Sequence, residues 1–353
     1  MVVVIKVGLI GAGMIARKGH LPALKRMSGV EVVAVVDVNE KVAERVAREF
    51  SISKYYTDLD EMLKGEDVDA LIVCTPTPTH YDIVMKCVNE GRSVLVEKPL
   101  CIKYEEALDI AKAAEEQGVQ VCVVYNYRYF PAVVRAYRRV IKGYLGRVLT
   151  LNGTIFSHFP VAWTRATWLY HEGGVLYDFL PHMVDMIVWF SGGKSCKVVS
   201  FGGDYLPSGG FTNHAQIMVE FDNGVLSSIS TSWLMGTQIF NLNVHGTAGH
   251  IFLDVRYNFM KEIHGTPTPL DDAISFAQYM VNVVKGVLSG YLFVGALAHY
   301  PIILRKFMLS LRRKGRYPVT AREELDRVFI LDAALTSIKS GGRMISREEY
   351  ERH

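Results

Sequence analysis

Along the first third of the chain, short β-branched apolar runs alternate with segments of helical period. The runs at 2–10, 31–36, 70–74, 93–96 and 120–124 have the length and composition of buried strands. Between them, Asn39 and Asp58 are placed to cap helices, and Gly91 and Gly118 to end them. This alternation predicts a parallel, doubly wound sheet over residues 1–124. After Tyr125 the rhythm changes. A helix is expected over 131–141, an alternating strand over 147–156 and one helix over 175–190, followed by strand-like runs at 198–205, 214–221, 225–233 and 239–245. Short turns rich in Pro, Ser, Asn, Asp and Gly separate the last four, so residues 125–353 are expected to form an α+β domain with a mostly antiparallel open sheet. A length of 353 residues suits two such domains.

The first strand breaks into Gly11-Ala12-Gly13-Met14-Ile15-Ala16, a G-x-G-x-x-A turn opening a helix. Gly11 permits the tight turn, Gly13 lets backbone approach a pyrophosphate, and Ala16 lets the helix pack closely on the strand. Met14 and Ile15 then lie beside the phosphates at the positive end of the helix. The second strand ends in Asp37, whose carboxylate can accept from ribose hydroxyls and repel a 2′-phosphate. NAD is therefore expected over NADP. The competing reading is an ordinary α/β turn followed by a helix-capping Asp.

Composition narrows the field. Half of the residues are hydrophobic and the net charge is +3, with no long run of one sign, so neither disorder nor a nucleic-acid-binding field is indicated. The basic stretch 305–316 reads as a solvated helix face. Cys74, Cys87, Cys101, Cys122 and Cys196 contain no C-x-x-C pair; they fit reduced, mostly buried thiols of a cytoplasmic protein, with neither disulfides nor a metal site. The first strand runs into its glycine turn without a basic leader, so no signal peptide is expected. Residues 286–304 carry no Asp, Glu, Lys or Arg, nearly the length of a membrane span, but hold three glycines, His299 and Pro301. They read as a buried or subunit-interface helix, with membrane contact as the alternative and no span expected.

Two constellations carry candidate chemistry. Glu97-Lys98-Pro99 follows the fourth long strand, at the carboxyl edge of the sheet where ligands bind. A partly desolvated lysine beside a nicotinamide cation has its ammonium form disfavoured, which suits proton exchange with a hydroxyl; a surface lysine paired with Glu97 is the plain alternative. On the helix 175–190, Asp178, His182 and Asp185 stand at i, i+4 and i+7 and share one face among apolar neighbours. A buried histidine flanked by carboxylates can act as an acid or base near neutral pH, or belong to a structural polar cluster.

Together with Thr75-Pro76, Asn126-Tyr127-Arg128 and Gly173-Gly174, these motifs resemble the glucose-fructose oxidoreductase and inositol dehydrogenase family (Gfo/Idh/MocA) over almost the whole chain. The resemblance implies a Rossmann domain, a mixed second domain whose open sheet mediates homodimer or homotetramer assembly, and hydride transfer between a nicotinamide nucleotide and a secondary alcohol of a sugar, cyclitol or nucleotide-sugar. It makes Lys98 and His182 the acid/base candidates, with Asp178 supporting His182 or binding substrate hydroxyls. Thr75, Pro76, His80 and Glu97 line the nicotinamide side, and Arg128 joins the residues near the polyhydroxylated substrate. Trp163, Arg165, Tyr170 and His171 have aromatic planes and polar tips suited to a hydroxylated ring, although packing accounts for them as well. The chain departs from the family in lacking a tryptophan-arginine pair and third glycine before the Asp-His helix, and in the long apolar segment 286–304. A redox-neutral glycosidase retaining NAD and a non-catalytic NAD-binding sensor stand as rival readings.

Overall fold

In the computed structural model, residues 4–158, 173–205, 210–288, 295, 297–312 and 315–352 are described. The chain divides into two units: Met1–Asn126 with Ala296–Val328, and Tyr127–Gly295 with Phe329–His353.

The first unit is built on six parallel strands, β1 (Ile5–Ile10), β2 (Val30–Val36), β3 (Lys54–Tyr56), β4 (Ala70–Val73), β5 (Ser93–Val96) and β6 (Val121–Val123), in the order β3-β2-β1-β4-β5-β6. β4 is buried at every position, as an uninterrupted Ala-Leu-Ile-Val run must be when helices cover both faces of a parallel sheet. The helices start where their caps dictate. Asn39 accepts from the Val42 N–H to begin Glu40–Glu49, and Asp58 accepts from the Asp60 and Glu61 N–H groups to begin Leu59–Gly65. The strand order reverses between β1 and β4, so the turns after these strands flank the topological switch point.

This unit extends beyond the boundary at 124/125 that periodicity suggests. The Val123 N–H donates to the Val319 carbonyl at 3.0 Å, the Tyr317 hydroxyl donates to the Val123 carbonyl at 3.1 Å, and Thr320 bridges Cys122. The returning chain thereby covers the edge beyond β6, which would otherwise present unpaired backbone groups. The Tyr300–Leu311 helix buries Tyr300, Ile303, Leu304 and Phe307 in the same unit. The apolar stretch 286–304 is therefore not one helix: it takes in the end of Pro269–Leu288, a short turn at Leu297–His299 and the start of Tyr300–Leu311. Among the described residues, no helix is long and apolar enough to cross a membrane.

The second unit holds an eight-stranded sheet: β7 (Val148–His158), β8 (Ser195–Gly203), β9 (His214–Phe221), β10 (Leu226–Ser232), β11 (Leu234–Gly246), β12 (Gly249–Asp254), β13 (Phe259–Ile263) and β14 (Ile345–Ser346), in the order β13-β12-β11-β7-β10-β9-β8-β14. All neighbours are antiparallel except β7 and β10. Along β9, Ala215, Ile217, Val219 and Phe221 are buried while Gln216 and Met218 are exposed, so one face is covered and the other open. On the covered face Gly153 of β7 admits Met183 of the Leu180–Ser191 helix; a Cβ there would meet its sulfur at 2.4 Å. On the open face Asn152 donates to Ser228 at 2.7 Å and Ser230 to Gln216 at 2.7 Å, beside exposed Phe201, Met218 and Leu226.

Candidate active site

The first-unit site begins at the turn after β1. Gly11 has φ +87° and its N–H donates to the Val36 carbonyl at 2.8 Å; a Cβ there would stand 2.8 Å from the Cys74 carbonyl carbon, so only glycine fits. Gly13 is the opposite case. It is exposed, and a Cβ would meet nothing within 4 Å, so the outer side of the turn is open to a ligand that must come close to backbone. Met14 is exposed and Ile15 half-buried beside it, while Ala16 is fully buried against the sheet. Asp37 accepts from the Ala12 N–H and from the Asn39 N–H, both at 2.9 Å, which fixes the acid beside the turn. Open Gly13, the helix that starts beside it at Met14 and an oriented carboxylate fit a dinucleotide.

The helix after the turn opens into one wide turn over Ala16–His20, of the kind frequent at functional sites. Its last residue, His20, is fully buried with Nε2 2.8 Å from Glu97 Oε1, and the Tyr300 hydroxyl donates to the same oxygen at 2.8 Å. Burial alone pushes the Glu97 carboxyl up. The His20 hydrogen bond and charge, the Tyr300 hydroxyl and the nearby Lys98 ammonium outweigh it and hold Glu97 below the ordinary carboxylate range. Lys98, at the head of the cis Lys98–Pro99 peptide, is half-buried next to this fixed negative charge.

At the end of β4, Thr75 is half-buried, Pro76 exposed and His80 buried. The His80 ring spans two segments, with Nδ1 2.9 Å from the Pro99 carbonyl and Nε2 2.8 Å from the Thr75 carbonyl. Burial pushes its pKa down more than the two carbonyls raise it. His80 thus ties the ends of β4 and β5 together through its own ring, with both nitrogens facing backbone.

In the second unit the expected helix over 175–190 is broken. Val175–Asp178 and Leu180–Ser191 are separate helices with Phe179 between them, because Pro181 has no N–H to continue the ladder. Asp178 therefore ends one helix and His182 lies in the first turn of the next, with Phe179 between them in right-handed helical backbone. The Tyr127 ring stands 4.5 Å from His182 edge-on, and burial together with the Asp178 charge pushes its hydroxyl up to about 12, so it stays a neutral donor. Asp185 is engaged by a partner its spacing does not reveal. It accepts three bonds of 2.6–3.0 Å from Arg128, whose guanidinium also lies 4.6 Å above the Trp189 ring. Arg128, read from sequence as a substrate contact, is thereby placed in a buried ion pair.

Gly11, Gly13, Asp37, Thr75, Pro76, His80, Glu97 and Lys98 all lie at carboxyl ends of first-unit strands, whereas Arg128, Asp178 and His182 belong to the second unit. Trp163, Arg165, Tyr170 and His171 lie outside the described residues. A surface hollow of about 290 Å³ lined by Tyr137, Ile141, Trp189 and Asn223 contains none of these candidates. Two supporting residues were not evident from sequence, His20 and Tyr300. A histidine four positions after Ala16, on a helix face that packs against the sheet, is a signal because a buried imidazole needs a partner. Tyr300 stands 203 residues from Glu97 and gives no local signal.

A glycine turn after β1, an acid after β2 and polar groups after β4 and β5 define a dinucleotide-binding oxidoreductase. The family model described as an oxidoreductase family with an NAD-binding Rossmann fold matches residues 5–125, and the GFO/IDH/MocA C-terminal domain matches residues 133–252. The chain belongs to this Gfo/Idh/MocA family of oxidoreductases. It is 29% identical over 255 residues to the NAD(+)-dependent scyllo-inositol 2-dehydrogenase of Bacillus subtilis (strain 168), covering 70% of this chain and 73% of that one. Levoglucosan dehydrogenase of Pseudarthrobacter phenanthrenivorans is 26% identical over 298 residues, covering 74% and 72%. The WlbA dehydrogenase from Bordetella pertussis, solved with NADH and UDP-GlcNAcA, shares the fold with a TM-score of 0.83 at 21% identity over 98% of both chains.

Proposed function

We propose that this protein is an NAD-dependent dehydrogenase acting on a secondary alcohol of a sugar, cyclitol or nucleotide-sugar. The observation that carries the reading is the Glu97-Lys98 pair at the end of β5: the glutamate is held ionised by His20 and Tyr300, in the strand-end row that also contains the open Gly13 turn. Gly13, Met14 and Ile15 hold the pyrophosphate side of the nucleotide, Asp37 the adenosine ribose, and Thr75, Pro76 and Glu97 the nicotinamide side. When bound, NAD supplies the hydride acceptor. Lys98 contributes the proton step, its Nζ exchanging a proton with the substrate hydroxyl. His182, supported by Asp178, is the second acid/base candidate, in a neighbourhood where Tyr127 presents a neutral hydroxyl. The Asp37 carboxylate, held beside the glycine turn by the Ala12 N–H, supports a preference for NAD over NADP, because it would repel a 2′-phosphate.

The test is incubation of purified protein with NAD and a panel of cyclitols, free sugars and nucleotide-sugars, following the absorbance of reduced nicotinamide. The reading predicts growth of that signal with one class. Release of a free sugar without net cofactor change would replace it with the redox-neutral glycosidase, and NAD binding with no turnover across the panel would favour a sensor.

A further inference from the structure

The Glu97 carboxylate uses its two oxygens unequally. Both donors that hold it, His20 Nε2 and the Tyr300 hydroxyl, converge on Oε1, each at 2.8 Å. Oε2 has no hydrogen-bond partner among the described residues, yet it is not sealed from solvent, and the side chain keeps 12% of its surface exposed. Burial first and the Glu97 charge second push the Cys74 thiol up, so the carboxylate lies close to the end of β4 as well as to that of β5. Packing alone does not require the charge. A neutral amide oxygen would accept the same two bonds, and removing an ion from water is costly unless the charge meets a need of its own.

The sheet order says what lies over this carboxylate. A dinucleotide with its pyrophosphate at the β1 turn and its adenosine ribose at Asp37, after β2, carries its other half across β1 toward β4 and β5. Glu97 ends that path. The oxidised nicotinamide ring bears a positive charge and the reduced ring none, so a fixed anion there acts on one redox state and not on the other. We propose, resting on the dehydrogenase reading above, that Glu97 makes the protein discriminate between the redox states of its nucleotide, favouring NAD+ over NADH. Release of NADH after hydride transfer is eased by the same charge. Lys98 is the adjacent cation, so the contribution of Glu97 is read as the change when that residue alone is altered.

The experiment titrates the full chain with NAD+, NADH and ADP-ribose by calorimetry at neutral pH and fixed ionic strength. Glu97→Gln keeps an acceptor for both donors and removes the charge. It is expected to lower the ratio of the NADH dissociation constant to that of NAD+ by ~10-fold or more, because unit charges a few ångströms apart in a partly screened site exceed that factor. ADP-ribose, which lacks the nicotinamide, should bind the wild type and this variant alike. Glu97→Asp keeps the charge on a shorter stem and is expected to hold the ratio closer to that of the wild type than Glu97→Gln does. A purely structural role would weaken both nucleotides together. An unchanged ratio in Glu97→Gln, equal ratios in the Gln and Asp variants, or a loss of ADP-ribose affinity as large as that of NAD+ overturns the inference and leaves the dehydrogenase reading standing. Binding of neither nucleotide by the wild type would overturn both.

Discussion

Glu97 keeps its charge in the interior because two donors converge on one oxygen, His20 Nε2 and the Tyr300 hydroxyl, each at 2.8 Å. A carboxyl held below its unfolded value contributes stability that is fully present above the unfolded pKa of ~4.3 and is lost as pH falls through the lower folded value. Glu97→Gln is therefore expected to flatten the acid limb of urea stability measured between neutral pH and pH ~3; an acid limb identical to that of the wild type would contradict this. Tyr300→Phe removes one charge-assisted bond without a cavity and is expected to cost ~1–3 kcal/mol in the same measurement. At this scale, the sequence makes Glu97 and Lys98 legible through their position after a strand. It does not reveal their supports, because Tyr300 reaches Glu97 only through the folded chain. The fate of Asp185 was hidden for a related reason: helical spacing shows that it can share a face with His182 but not that Arg128 claims its carboxylate.

Among the elements, the β1 turn separates a glycine the fold requires from one whose outer side is open. Gly11→Ala forces a Cβ against Cys74 at φ +87° and is expected to lower stability by ~1–3 kcal/mol. Gly13→Ala meets no protein atom within 4 Å; it is expected to leave the melting temperature unchanged while weakening NAD binding measured by calorimetry. Equal effects of the two substitutions on melting would refute the distinction. Asp37→Ser with Val38→Arg, where Val38 is 93% exposed, should narrow the NAD-over-NADP affinity gap, and equal affinities in the unmodified protein would remove Asp37 from the argument. The strands and caps of this unit were readable because each follows from local pattern. The break between Val175–Asp178 and Leu180–Ser191 was also encoded, in Pro181, but the apolar period across it reads as one continuous helix.

In the molecule as a whole, the alternation of strands and helices discloses the Rossmann half, and the shift to short turns discloses the second sheet. What escapes such a reading is the return of the chain: Val319 and Thr320 join β6 from almost 200 positions away, and Ile345–Ser346 adds a strand beside β8. Burial also governs the thiols. Cys74, Cys87, Cys101 and Cys122 are buried, and burial pushes the Cys87 thiol up to about 12. A thiol reagent is expected to modify only Cys196 in the folded protein and all five cysteines after denaturation; rapid labelling of more than one native thiol would contradict the packing. The central claim is that Lys98 exchanges the substrate proton as hydride passes to the nucleotide. Its most direct test compares Lys98→Met with the wild type, using the substrate class that reduces NAD, by stopped-flow turnover and calorimetric NAD binding. Unchanged NAD affinity with turnover lowered ~10²–10⁴-fold is the predicted result, and near-normal turnover would contradict it.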